Sequence, residues 1–423
     1  MKANFVKKGA VGKAVSPNTL IAACFLLYTS MMAAKGVFIA EIAYLMEVFS
    51  VDKATASLAN TYYFVAYAAV QVILFFVVKK MNLQRFLTVT VPIAAVATAF
   101  MGLSRGITDM YFLFAVCGLF QAGVYCGCNA TLTKYLPSRY LSRANSVMNL
   151  GYATGTVIAY VFSAVCVRFT LWRVPFFAMG AFLFLAVAFF AICVKGAAGM
   201  NEEDKKSVSA DTAARFDKLP FLTLRGKRSK PLFYAAVLVI VFLVTCLYYA
   251  INNWITTMMV EEHGLSQDVA IYIAVLAPTL IALGPMMTIR YCDKHENFIR
   301  GGYVFLTFGL PIPLILAFVY GYNAIVTFVL SVIYIIFVNG VKAIGLSVMA
   351  FKLRGEVDTA EYTSITNAVA SLAGGVAPTV AGKIIDAEGW RASYFAVFAM
   401  TLASVLAMIC VDAIARKNRK SKQ

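Results

Sequence analysis

Residues 146–151 read SVMNLG, and residues 364–369, 218 positions later, read SITNAV. At the same offset Trp172-Arg173 meets Trp390-Arg391, Phe177 meets Phe395, Gly127 meets Gly345 and Lys134 meets Lys352. A pair as rare as Trp-Arg, recurring at one fixed spacing with Ser146/Ser364 and Asn149/Asn367 beside it, marks an internal repeat. Both copies are embedded in long apolar segments. A chain crossing a bilayer as helix needs about 20 mostly apolar residues, because every backbone polar group must be satisfied within the segment. Twelve stretches qualify: 19–42, 55–78, 86–104, 110–132, 146–167, 174–194, 232–257, 269–289, 302–320, 324–350, 363–383 and 394–414. Six crossings separate the copies, so the two repeats run in the same direction.

Composition agrees. The 423 residues are 61% hydrophobic and 13% charged, against about 45–50% and 25% for a soluble domain. This excludes a cytosolic enzyme, a nucleic-acid module and a disordered chain. The polar run 195–231, beginning KGAAGMNEEDKKSVSADTAARFDK, has no apolar periodicity. The expected organisation is therefore an all-α integral membrane protein with an N-terminal six-helix bundle (1–194) and a cytoplasmic linker (195–231). A C-terminal six-helix bundle (232–415) and a basic tail (416–423) follow.

The net charge of +17 would suggest nucleic acid in a soluble protein. Here 29 of the 37 Lys and Arg fall on one set of alternate loops and termini, and six on the other. Cytoplasmic loops carry the excess of Lys and Arg, so both termini are expected inside a plasma (inner) membrane. No nucleic-acid partner is expected. Lys2, Lys7, Lys8 and Lys13 precede the first apolar stretch as in a signal peptide. That stretch is too long and lacks a small-x-small cleavage site, so an uncleaved first helix is expected.

Two cations remain, Lys35 in MMAAKGVFIA and Lys342 in VNGVKAIG, both inside expected helices. A charge at the centre of a membrane helix costs about 2.5–3.5 kcal/mol even on the lenient insertion scale. As an ammonium, Lys35 needs a carboxylate or a substrate anion. Glu41 lies six residues on, a rotation of about 600° that puts it on another face. Lys342 poses the same choice, with snorkelling or an acid on another helix as its alternatives. Polar and aromatic residues gather on few helices. Tyr248, Tyr249, Asn252, Asn253 and Trp254 share the seventh, and Asn145, Asn149 and Tyr152 share one face of the fifth. Gln121 and Tyr125 are four apart on the fourth, Asn367 and Ser371 on the eleventh, and Tyr62, Tyr63 and Tyr67 lie on the second. The candidate substrate-binding set is Lys35, Lys342, Tyr62, Tyr125, Asn149, Tyr152, Tyr248, Asn252 and Asn367.

The nine cysteines lie mostly within helices, and no CxxC or metal-ligand spacing occurs. They read as packing residues; no metal or cofactor is expected. Gly123-x-x-x-Gly127 and Gly151-x-x-x-Gly155 are expected to let helices approach closely. Pro278, Pro285, Pro311 and Pro313 predict kinks in the eighth and ninth helices.

The stretches KGVFIAEIAYL (35–45), CGLFQAGVY (117–125), SVMNLGYATG (146–155) and SITNAVASLAGGVAPTVAGKIIDAEGW (364–390) resemble the major facilitator superfamily. Within it they are similar to the organophosphate:phosphate antiporter branch of glycerol-3-phosphate and hexose-phosphate transporters. The resemblance covers nearly the whole chain. It implies two parallel six-helix repeats with a substrate site between them near the midplane. In that branch a cation on the first helix, another on the seventh and a histidine on the fifth surround the phosphate. Lys35 occupies the first position, with Lys for Arg; the others fall on Tyr248 and near Tyr152. An Arg fork suits a doubly charged phosphate, whereas one Lys with tyrosine hydroxyls suits a carboxylate as well. The segment VVKKMNLQRF (77–86) also lacks the Asp of the superfamily's D-R signature. The expectation is a monomeric secondary transporter in membrane lipid, moving a small organic anion, organophosphate or carboxylate, by alternating access. Two alternatives stay open: a transporter-like sensor of a phosphorylated sugar, and a cation or drug exporter using Glu41. An enzyme is not expected, since no nucleophile–base pair or phosphate loop occurs.

Overall fold

The structure is a computed structural model describing residues 15–77, 80–136, 138–197, 229–295, 298–349 and 359–420. Most of the expected linker, 198–228, lies outside the described residues. Eleven continuous helices among the described residues are long and apolar enough to cross a membrane. Ten are α1 (Pro17–Phe49), α2 (Lys53–Val77), α3 (Leu83–Met101), α4 (Ile107–Tyr135), α5 (Ser138–Arg168), α6 (Val174–Ala197), α7 (Tyr234–His263), α8 (Gln267–Thr288), α9 (Phe298–Val319) and α10 (Ala324–Leu346). The eleventh, Thr359–Lys420, breaks at Gly389, whose φ of 80° and ψ of 177° are non-helical. It therefore supplies two segments, α11 (359–388) and α12 (390–420), and completes the twelve expected from the sequence.

The repeat is visible in the packing. In the first half α1 lies on α5, α2 on α4 and α3 on α6; in the second, α7 lies on α11, α8 on α10 and α9 on α12. Between halves, α2 packs against α11 and α5 against α8. α1 and α7 end in the same left-handed turn, at Ser50 (φ 51°) and Gly264 (φ 64°). The Trp-Arg pairs explain themselves here. Arg173 donates to the Gly102 carbonyl at the end of α3 (2.8 Å), and Arg391 donates to Ala317 O near the end of α9 (3.2 Å). Each satisfies a carbonyl left open in the last turn of a helix. The neighbouring tryptophans reach the other way, Trp172 edge-on to Phe49 at the end of α1 and Trp390 to Glu261 near the end of α7.

At the expected prolines the helical hydrogen-bond ladder is interrupted, and the interruption has a cause. α8 is interrupted at Val275 and Ala282, three residues before Pro278 and Pro285, and α9 at Leu310, just before Pro311. A proline ring clashes with the carbonyl four residues earlier and offers it no N–H. For Pro285 that carbonyl belongs to Ile281, and Asn339 of α10 donates to it at 3.2 Å. A neighbouring helix thus repairs the broken ladder, as lipid surroundings require.

Glycines set the closest seams. A Cβ on Gly155 would collide with Thr29 O and Met32 of α1, and one on Gly151 with the Tyr28 ring. Gly123 and Gly127 take the same role against Phe86 and Leu87 of α3. Large apolar side chains such as Phe76, Phe112 and Ile325 point outward, a surface suited to lipid rather than water. Overpacking a tight seam costs about 1–3 kcal/mol. Gly155→Ala should lower the thermal midpoint of the detergent-purified protein, whereas Gly321→Ala, which meets open space, should not.

Candidate substrate site

Lys35 lies midway along α1, buried, with its Nζ 4.1 Å from the centroid of the Phe64 ring, 5.2 Å from Tyr63 and 5.8 Å from Tyr249. Lys342 comes from α10, just before the wide π-type turn Ile344–Val348. Its Nζ sits 3.6 Å over Tyr248 and 5.6 Å from Tyr249. The two ammonium groups therefore share one ring, Tyr249, although 307 residues separate them. Phe64 and Tyr249 pack edge to face at 5.2 Å. Gly374 of α11 makes room for this pair, since a Cβ there would lie 2.9 Å from Tyr249 and 3.0 Å from Phe64.

Among the described residues neither lysine has a carboxylate within 4.0 Å. Cation–π contacts supply about 2 kcal/mol when desolvated, which offsets only part of the cost of a charge at this depth. The remainder of the site can donate hydrogen bonds. Tyr152 and Tyr248 hydroxyls pair at 3.0 Å, joining α5 to α7 across the halves. Beside them a cavity of about 10 Å³ is lined by Thr156, Tyr160, Asn252 and Thr256, room for a single water. Tyr63 donates to Gln121 Oε1 (3.0 Å), and Tyr125 packs on Tyr28.

The structure thus brings together Lys35, Lys342, Tyr152, Tyr248 and Asn252. Tyr125 lies one layer away, through Tyr28. Asn367 is half-buried on α11, and no contact among the described residues joins it to the lysines. Tyr62 belongs elsewhere: it is 50% exposed and stacks on Tyr111, on the side of α2 away from Tyr63. The side chain of Asn149 lies outside the described residues. Phe64 and Tyr249 are the additions. Phe64 carries no signal in sequence, because an aromatic on an apolar helix reads as core. Tyr249 stands next to Tyr248 but points to both lysines, which spacing alone does not reveal. Glu41 is fully buried against α5 and absent from this cluster.

A second polar group lies where α1 ends and α2 begins. Lys53, at the start of α2, pairs with Glu261 of α7 (2.8 Å) and Asp386 of α11 (3.3 Å). Asp386 also accepts from the Ala54 backbone N–H, and Trp390 donates to Glu261. Deeper along the α2–α11 seam, Thr61 donates to Gly375 O and bonds Thr379, which also accepts from Ser57. Next to this lock Asp52 accepts from the Thr55 N–H, and the Thr55 hydroxyl and backbone together hold its carboxyl below the usual range. These contacts tie the start of α2 to α7 and α11 at one end of the interface between halves.

Residues 23–357 match the Major Facilitator Superfamily, and the chain belongs to that family. Over 239 residues it is 23% identical to the cis,cis-muconate transport protein of Acinetobacter baylyi, covering 55% of this chain and 57% of that protein. The match therefore spans little more than half of the relative. The fold is shared with a bacterial homologue of the human lysosomal transporter Spinster, solved inward-facing and unoccupied (TM-score 0.74, 16% identity, 95% of this chain and 98% of that one). A POT family transporter in complex with a thioalcohol-conjugated peptide superposes with TM-score 0.71 and 12% identity, covering 94% and 96%. The nucleoside transporter NupG gives 0.62 and 12%, covering 93% and 98%. The chain is a multi-pass membrane protein of that superfamily. Replacing Lys53 with methionine removes both ion pairs of the lock. Spin labels at positions 52 and 388, in a cysteine-free background, should then report a shift to longer distances across this end.

Proposed function

We propose that the protein is a secondary transporter of small organic anions, carboxylates foremost, working by alternating access with Lys35 and Lys342 as the anion anchors. One observation carries this reading: two ammonium groups inside the bundle converge on one ring with no carboxylate beside them among the described residues. An anion supplies the missing charge, and Tyr152, Tyr248 and Asn252 supply the neutral hydrogen bonds that orient it. The muconate relative favours a carboxylate. The similarity to the organophosphate:phosphate branch keeps phosphate esters among the candidates, but lysine and two tyrosines in place of its cations and histidine make a weaker, less bidentate phosphate clamp. Export of a cation fares worse, since Glu41 stands apart from the lysines.

The Lys and Arg distribution supports a plasma (inner) membrane location with both termini cytoplasmic. The Lys53 lock then faces outside, and the halves 1–194 and 232–415 rock about the lysine layer as a monomer. Hydrogen bonds to charged groups contribute about 1.5–3 kcal/mol, so Lys35→Ala should reduce uptake at least tenfold while the protein remains folded; uptake near the wild-type rate would remove Lys35 as anchor. A thermal-shift panel of sugar phosphates, carboxylates and sulfonates identifies the anion class. Carboxylates should raise the midpoint of the wild type and leave Lys35→Ala and Lys342→Ala unshifted. Tyr62→Phe should behave as wild type in both assays.

A further inference from the structure

Two asparagines inside the bundle have no role in the site described above. Asn60 of α2 and Asn253 of α7 are both buried, and neither carboxamide has a hydrogen-bond partner for its oxygen or its nitrogen among the described residues. Helix periodicity puts them at one level. Asn60 stands four residues before Phe64 and Asn253 four after Tyr249, so each lies one turn from a ring of the lysine site, on the same helix face. Asn60 also precedes Tyr63 by three, and Tyr63 and Phe64 are the rings of α2 that hold Lys35. α2 and α7 meet at two points that bracket this level. Phe64 packs on Tyr249 at one (5.2 Å), and Lys53 pairs with Glu261 at the other (2.8 Å).

The row continues along α7, where Tyr249, Asn253, Thr257 and Glu261 recur every four residues. The Thr257 hydroxyl is buried and unpaired as well. Thr257 borders a cavity of about 240 Å³ that also touches Lys53 and Glu261, so the polar row leads from the lysines to empty space. An unpaired carboxamide in a membrane interior is costly, and two at one level call for a ligand that brings the partners. Their N–H groups donate without adding charge. The charge is already present one turn away, where two ammonium groups exceed what a single carboxylate neutralises. Four helical residues rise by about 6 Å, the order of the span between the ends of a straight-chain dicarboxylate roughly five to seven carbons long.

We propose that Asn60 and Asn253 form a second subsite, which takes the far carboxylate of a linear dicarboxylate whose near carboxylate is held by Lys35 and Lys342. The assignment rests on the organic-anion reading above and narrows it to a dianion.

The test measures dissociation constants by calorimetry on the full purified chain. The probes are straight-chain dicarboxylates of four to eight carbons, each beside the monocarboxylate of equal length. Wild type should prefer adipate to hexanoate at least tenfold, with affinity peaking at adipate or the acid one carbon shorter or longer. Asn60→Ala and Asn253→Ala should each cut that preference at least fivefold, by weakening adipate rather than by tightening hexanoate. Alanine also removes a buried amide with nothing to pair with, so both variants should melt no lower than wild type without ligand. A lower midpoint in both ligand-free variants assigns the asparagines a structural role and overturns the subsite. A preference that persists in both variants overturns it, as does equal wild-type affinity for adipate and hexanoate. In those cases monocarboxylate binding that is lost in Lys35→Ala still upholds the organic-anion reading. Wild type that binds neither series contradicts that reading and the subsite together.

Discussion

An ammonium group inside a helical bundle is cut off from bulk water, and here two of them converge on one ring with no carboxylate beside them among the described residues. Much of the arrangement around the site follows from that constraint. The rings of Phe64, Tyr248 and Tyr249 lie where the lysines need them, and Gly374 keeps α11 thin enough to let those rings meet. A cation held by aromatic faces is stabilised but not neutralised. Such a site stays ready for an anion, whereas a lysine already paired with a carboxylate would have to break that pair to bind one.

The repeat explains how such a site is held between two halves. The same contacts recur in each: a Trp-Arg junction that closes the end of the third or ninth helix, and glycine seams that bring helices to backbone distance. Onto this symmetric frame the chemistry is placed asymmetrically. Lys35 belongs to the first helix of the first half, Lys342 to the fourth of the second. The Lys53 ion pairs with Glu261 and Asp386 and the Tyr152–Tyr248 bond both cross between halves, so the rocking proposed above would have to break or remake them.

The twelve crossings, the proline breaks and the glycine seams were legible in the sequence, because each depends on local facts: apolar length, a missing N–H, a missing Cβ. The two lysines were legible for the same reason, since a charge in an apolar run is conspicuous without any knowledge of its neighbours. Side-chain direction was not legible. Tyr62 and Tyr63 are adjacent, yet one stacks on Tyr111 at the outer surface while the other lies under Lys35. Tyr249 and Phe64 gain their role only from the packing of α2, α7 and α11, and Lys53 finds its partners 208 and 333 residues away. Pairings of that range are set by tertiary structure, which a single sequence without the fold does not disclose.

The account's central claim is that the two lysines together hold the transported anion. A structure of the protein with a bound carboxylate tests it most directly. The account predicts substrate density between Lys35 and Lys342, with a carboxylate oxygen within hydrogen-bond distance of each Nζ and the ammonium groups drawn off the Phe64 and Tyr248 rings. Substrate density elsewhere in the bundle, with both lysines still seated on those rings, would contradict it.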